Sequence, residues 1–289
     1  MLEIIKDTLI DSVKLLPFLF ITYLIMEYIE HKMKHKSKEV IKKSGRFGPL
    51  LGSVLGIFPQ CGFSVSATNL YAGRVITLGT LIAVYLSTSD EMLPIFISEA
   101  VSPIIILKIL GIKLLIGMIS GFIIDLVISV FNKNKEKQND EEEVIGDICE
   151  EEHCHCNEKG ILKSALSHTI NIFLFIIIIT FIINIAIYFI GEDTISNLLL
   201  NKPILGPIIS ALIGLIPNCA ASVIITNMYL QKVISFGSMI AGLLTGAGVG
   251  LAVLFKTNHK IKENISIIAL LYVIGVISGV IIDLLKVAI

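Results

Sequence analysis

The 289-residue chain has no tryptophan, and only 16% of its residues are Asp, Glu, Lys or Arg. A soluble domain of this length needs more polar surface than that. Sustained alternation of apolar and polar residues is also missing, which argues against a transmembrane β-barrel. No phosphate-cradling G-x-x-x-x-G-K-[ST] stretch, phosphorylation motif or nucleotide domain occurs, so ATP would have to come from a partner. The net charge of −1 leaves no basic footprint for nucleic acid. The five cysteines are spread in a way that gives no disulfide framework. No small-residue cleavage site follows the first apolar run, so no cleavable signal peptide is expected.

Hydrophobic length is what the chain has in abundance. Its mean hydropathy is +0.86. Runs such as "LIDSVKLLPFLFITYLIMEYI" and "INIFLFIIIITFIINIAIYFI" match the roughly 20 residues a helix needs to cross a bilayer. The expectation is an all-α polytopic membrane protein, multi-pass in the cell membrane, with lipids as its surroundings. A homo-oligomer is compatible with this.

A shift of 158 positions aligns the chain with itself. Residues 48–96 match 206–254 without a gap at 17 of 49 positions. The matches include Pro59/Pro217, Cys61/Cys219, Ser64/Ser222, Asn69/Asn227 and Gly79/Gly237. At the same shift "IGMISGFIIDL" meets "IGVISGVIIDL" with nine of eleven positions identical. Shared Pro, Cys, Asn and Asp cannot come from a bias toward Ile and Leu, so the halves are duplicated units. Residues 1–131 form the first membrane repeat and 161–289 the second. Residues 132–160, "NKNKEKQNDEEEVIGDICEEEHCHCNEKG", are too charged to enter a bilayer and read as a linker.

Each half reads as a long apolar helix (about 8–29; about 168–190), then a proline-interrupted run (48–72; 206–230). Two further helices follow (about 76–97 and 107–131; about 234–255 and 265–286). Loop 31–46 is rich in Lys, while its counterpart 191–203 has one Lys. Segment 256–262 has three Lys, while its counterpart 98–104 has none. Lysine-rich loops face the cytoplasm, so the halves are expected to be inverted repeats, a transporter arrangement. Inversion needs an odd number of crossings per half. The interrupted run therefore reads as a re-entrant hairpin, its arms of about 11–13 residues being too short to span ~30 Å. Each repeat then has three transmembrane helices plus a hairpin, about ten helical segments in all. One kinked helix is the alternative, and it would make the repeats parallel and place 132–160 outside.

Proline removes a backbone donor and clashes with the preceding turn. The backbone groups it frees are costly in lipid unless they line a cavity or touch protein. The breaks at Pro59 and Pro217 are followed by Gln60-Cys61 and Asn218-Cys219, then by Ser64 and Ser222. In the inverted arrangement both tips reach the midplane and two cysteines face one site. Thiolate selects soft metals or arsenic-like elements over Mg²⁺ or Ca²⁺. A kinking proline beside a packing cysteine is the plainer account of one such motif; its duplication favours a site. Asn69 and Asn227, about two turns beyond the cysteines, either join that site or hold the hairpin by hydrogen bonds.

The stretch "GRFGPLLGSVLGIFPQCGFSVSATNLYAGRVITLGTLIAVYLSTSDEMLPI", with "IPNCAAS" in the second half, resembles the ten-segment heavy-metal exporter family, bacterial permeases grouped with the ArsP-like arsenic permeases. The resemblance covers most of the chain and implies efflux of a metal or metalloid. Members carry both manganese-transporter and arsenic-efflux labels, so the family does not fix the substrate. It implies a small inorganic ion as cargo and no resident cofactor.

Asp90 and Glu91 in "YLSTSDEMLP" are proton-coupling candidates, since an acid inside a membrane is costly and usually has a role. Their counterparts are Gly248 and Val249, so such a group would occur once per transporter. If the helix ends there instead, both acids are wet. The duplicated Asp125 and Asp283 read as helix-end or structural hydrogen-bonding acids. Gly117–Gly121 and Gly275–Gly279 suit close helix packing. Glu27, Glu30 and His31 read as interface residues. The linker's Cys149, His153, Cys154, His155 and Cys156 match no zinc-finger spacing. They read as a flexible cluster that captures or senses Zn²⁺ or Cu⁺, or as a solvated low-complexity linker. An intramembrane cysteine enzyme lacks a base, because no His lies in an apolar run near either motif. A manganese or divalent-cation transporter using acids and amides, a channel, and a metal-responsive sensor remain as alternatives.

Overall fold

The computed structural model describes residues 13, 16–17, 20–21, 23–24, 47–58, 61–89, 92–133, 162, 166, 169–171, 173–178, 181–182, 185 and 204–286. Among them the regular structure is entirely helical. The first repeat contributes α1 (Gly48–Gly56), α2 (Cys61–Ala72), α3 (Leu78–Ser87), α4 (Met92–Ser98) and α5 (Pro103–Lys133). The second contributes α6 (Leu205–Gly214), α7 (Cys219–Leu230), α8 (Phe236–Thr245), α9 (Gly250–Thr257) and α10 (Ile261–Leu284). Helices α7 to α10 begin 158 residues after α2 to α5, at Cys219, Phe236, Gly250 and Ile261. The linker 132–160 lies almost wholly outside the described residues.

Local chemistry sets these boundaries. Thr77 caps α3 by accepting from Thr80 N–H at 3.1 Å, and Ser235 caps α8 by accepting from Ser238 N–H at 3.1 Å. These caps satisfy helix-start donors that have no partner within the helix. Asn218 caps α7 on Ala220 N–H at 3.4 Å, directly after Pro217.

Among the described residues, four spans are long and apolar enough to cross a membrane: Leu78–Ser98, Pro103–Val130, Phe236–Thr257 and Ile261–Leu284. Phe236–Thr257 is 89% buried and Ile261–Leu284 only 28%, so α8–α9 is central and α10 peripheral. The same division separates α3–α4 from α5. The peripheral helices expose Leu107, Leu126, Ile265 and Ile281, as a lipid-facing surface requires. One core joins the repeats, with Leu81, Ile82 and Tyr85 packed in the same cluster as Ile240, Leu243 and Leu271.

Glycines fix the closest approaches. A methyl on Gly121 would lie 2.6 Å from Gly79 O, and one on Gly279 would lie 2.5 Å from Gly237 O. Helices α3 and α5 therefore cross backbone to backbone, as do α8 and α10, the close packing expected of Gly117–Gly121 and Gly275–Gly279. Along α1, a methyl on Gly48 would strike Thr80, one on Gly52 Thr80 and Val84, and one on Gly56 Val84 and Ser87. Helix α1 thus runs beside α3 in the same direction.

Candidate functional site

The sequence suggested continuous helices over about 76–97 and 234–255. Both are broken. Helix α3 stops at Ser87 and α4 starts at Met92; α8 stops at Thr245 and α9 starts at Gly250. The first break follows a run of hydroxyls that turn back on the helix: Ser87 Oγ donates to Ala83 O and Thr88 Oγ1 to Val84 O, both at 2.7 Å. Such bonds offer the backbone an alternative to the helical ladder. The second break contains Gly246 and Gly248, and Gly248 has φ 55°, a left-handed conformation glycine adopts without strain. Ser87, Thr88 and Ser89 are buried, as are Thr245 to Val249. Asp90 and Glu91 lie outside the described residues, between buried Ser89 and buried Met92.

The two repeats interlock at these breaks. Helix α2 of the first packs on α9 of the second, and α7 of the second packs on α4 of the first. At the first junction, Thr68 Oγ1 donates to Gly250 O at 3.2 Å and lies 2.5 Å from Tyr85 Oη. Tyr85 Oη donates to the same carbonyl at 3.3 Å. Ser64 sits against Gly250, where an added methyl would meet it at 3.1 Å.

The proline motifs are placed unevenly. Pro59 and Gln60 lie outside the described residues, and Cys61 opens α2. Pro217 is half-buried; Asn218, Cys219 and Ser222 are buried. Cys219 packs in a cluster with Val65, Val249, Val253, Tyr23 and Ile176. Val65 is one helical turn beyond Cys61. A methyl on Gly246 would reach Ser222 Oγ at 3.5 Å, so the second motif borders the second break.

The paired asparagines do not behave alike. Asn69 is buried and accepts from Tyr23 Oη at 3.3 Å, while its Nδ2 has no partner among the described residues. Asn227 is exposed on α7. Eight residues advance a helix by about 80° more than two full turns, so a shared face with the cysteine was not assured.

Lys113 is the residue that sequence reasoning missed. It is fully buried in the middle of α5. Its ammonium donates to Thr88 O and, at 3.0 Å, to Leu243 O. The signal was visible: one lysine inside "KLLIGMISGFIIDLVI", with Leu271 at the equivalent position of the second repeat.

Asp125 and Asp283 have the structural role anticipated for them. Asp125 accepts from Thr77 Oγ1 at 2.7 Å and Gly79 N at 2.8 Å; Asp283 accepts from Ser235 Oγ at 2.6 Å and Gly237 N at 2.8 Å. Each ties the C-terminal half of α5 or α10 to a helix start. At the first turn of α10, Glu263 is gripped by Arg74 through two bonds of 2.8 and 3.3 Å, and Tyr71 Oη donates to the same carboxylate. Those bonds push the Arg74 guanidinium further above its usual pKa, so it stays charged.

Among the described residues no three His, Cys, Asp or Glu side chains gather into a metal-holding group. Cys149, His153, Cys154, His155 and Cys156 lie outside those residues. The chain matches the family described as "Putative, 10TM heavy-metal exporter" over residues 1–192 and 174–288. It therefore belongs to that family and is a multi-pass membrane protein. No curated protein and no solved structure matches it.

Proposed function

We propose that this member of the heavy-metal exporter family is a secondary transporter that exports a soft metal ion or metalloid through a midplane site carried by its two P-[QN]-C-x-x-S motifs. The observation behind this is the position of Cys219. It is buried at the start of α7, beside Val65 of α2 and Val249 of the second break. A thiolate beside broken helices, with Asn218 and Ser222 as oxygen donors, has the softness that selects such an ion.

We read the repeats as inverted, each a re-entrant hairpin with three crossings. Two contacts support this. Helix α1 runs parallel to α3, and α2 leads into the start of α3, so both ends of the α1–α2 hairpin belong at one end of the bundle. The Arg74–Glu263 bond then sets the end of that hairpin beside the start of α10, next to the lysine-rich segment 256–262. A single kinked helix over 48–72 would put Arg74 and Glu263 on opposite faces of the membrane. With this topology residues 132–160 are a cytoplasmic linker, its Cys and His residues binding Zn²⁺ or Cu⁺ loosely. Asp90 and Glu91, which follow Ser89 in the sequence, are the proton-coupling acids.

A hard divalent cation such as Mn²⁺ is the second reading. It draws on the buried oxygen donors Ser64, Thr68, Asn69, Asn218 and Ser222. Cellular metal content separates the two, measured in a sensitive host given arsenite, Mn²⁺, Zn²⁺, copper or Co²⁺ separately. Wild type should lower one element, and Cys61→Ser with Cys219→Ser should abolish that. If the double variant still lowers Mn²⁺, the cysteines only pack and the oxygen donors carry the ion.

A further inference from the structure

We propose that Tyr71, Arg74 and Glu263 form a latch that shuts the cytoplasmic end of the seam between the repeats, and that it opens and closes once in each transport cycle. This rests on the inverted-repeat export reading above. Helix α2 carries the latch and borders the candidate site. Val65, near its start, packs beside Cys219. One turn on, Thr68 donates to Gly250 O at the start of α9. One turn further, Tyr71 is buried and donates to Glu263 in the first turn of α10. Residues three or four apart share a helix face, so α2 meets the second repeat in successive layers. The outermost layer is charged. Arg74 grips Glu263 through a fork of 2.8 and 3.3 Å, and its guanidinium lies 5.4 Å over the Tyr71 ring. A two-pronged bond fixes geometry as well as energy. Lys260 brings a second positive charge near the same carboxylate.

Among the described residues, the equivalent contact across the repeats carries no charge pair. Tyr71 and Arg74 correspond to Tyr229 and Lys232, but Glu263 corresponds to Ile105. Tyr229 packs instead on Phe96 of the first repeat, with ring centroids 6.4 Å apart, and Lys232 is exposed. In the inverted arrangement the two contacts lie at opposite faces, and rocking of one repeat against the other opens them in turn. Both contacts are made in the structure. Loading an exported ion from the cytoplasm therefore means parting Arg74 from Glu263. Their half-buried setting suits that task, because solvent screening keeps the pair weak enough to break at every turnover.

The test reads the seam itself and needs no cargo. Hydrogen–deuterium exchange is followed in full-length wild type, Glu263→Gln, Arg74→Gln and the swapped pair Arg74→Glu with Glu263→Arg, all purified in detergent. Breaking the latch should raise exchange about fivefold in peptides covering 68–76 and 261–266. It should also lower exchange in peptides covering 94–98 and 227–233, because the freed protein spends more time with the opposite contact shut. The swapped pair should return both sets toward wild type. If one single variant gives no monodisperse protein, the other carries the test, since each removes one charge of the same pair. A rise confined to the first set overturns the latch, because a joint that merely holds helices loosens locally. No change in either set overturns it too. A rise in both sets puts the two contacts on one face of the membrane, and the inverted-repeat reading then fails together with the latch.

Discussion

Asp125 and Asp283 each accept one hydroxyl and one glycine N–H, at distances that agree within 0.1 Å between the repeats. Positions 85, 90, 91 and 113 agree in nothing: Tyr, Asp, Glu and Lys in the first repeat face Leu243, Gly248, Val249 and Leu271 in the second. Duplication kept these joints, and with them the Cys, Ser and Thr of the proline motifs, but let positions 85, 90, 91 and 113 diverge. The division of labour is directional. Thr68, Tyr85 and Lys113 of the first repeat donate side-chain hydrogen bonds, and the second repeat answers with backbone carbonyls of Gly250 and Leu243. One half supplies chemical variety at the centre, while the other supplies exposed backbone at a break.

The strongest way to probe the shared joints is to overfill them. Gly121→Leu and Gly279→Leu each push a side chain into a glycine backbone of the facing helix and against Pro49 or Pro207. Each should cost about 3 kcal/mol or more, since backbone cannot move aside. Size-exclusion profiles of a fluorescent fusion should lose the monodisperse peak in both. Tolerance of one alone would mean that the joints are not equivalent.

Removing the joint carboxylates is the next test. Asp125→Ala and Asp283→Ala should each cost about 2 kcal/mol, because Gly79 or Gly237 N–H is then left without its acceptor. The two losses should match and add, since they sit in different joints. Unfolding curves in detergent would read this. At the divergent centre, Tyr85→Phe removes the hydroxyl shared by Thr68 and Gly250 O and should cost about 1 kcal/mol.

How much of this was legible follows from what kind of physics wrote it. The repeat, the duplicated aspartates and the crowded glycines were readable because Asp125, Asp283, Gly121 and Gly279 do work that no other residue replaces. The interruption at Pro217 was readable because proline forces it. The breaks after Ser87 and Thr245 were not. Apolar residues flank both, the polar stretch 87–91 leaves open whether the first helix ends or continues, and the ends depend on tertiary partners that arrive from the other repeat. Lys113 was visible as a charge in an apolar run, but not its partners, because the Thr88 and Leu243 carbonyls it donates to carry no residue signature. The opposite fates of Asn69 and Asn227 were likewise undecidable, because only Asn69 meets a tyrosine, and Tyr23 is 46 residues away.

The smallest effect gives the sharpest comparison. Arg74 and Lys232 occupy equivalent turns and share a left-handed backbone, with φ 57° and 61°. That conformation costs a non-glycine residue about 1 kcal/mol. Lys232→Gly relieves the strain and should stabilise the protein by about that much. Arg74→Gly relieves the same strain but also removes the pair with Glu263, whose members are 33% and 25% exposed. Screening at that exposure limits the pair to about 1 kcal/mol. The two terms offset, and Arg74→Gly should be near neutral. Raising the salt should turn Arg74→Gly from neutral to slightly stabilising while leaving Lys232→Gly unchanged. If both variants gain equally at low salt, the Arg74–Glu263 bond contributes nothing to joining the repeats.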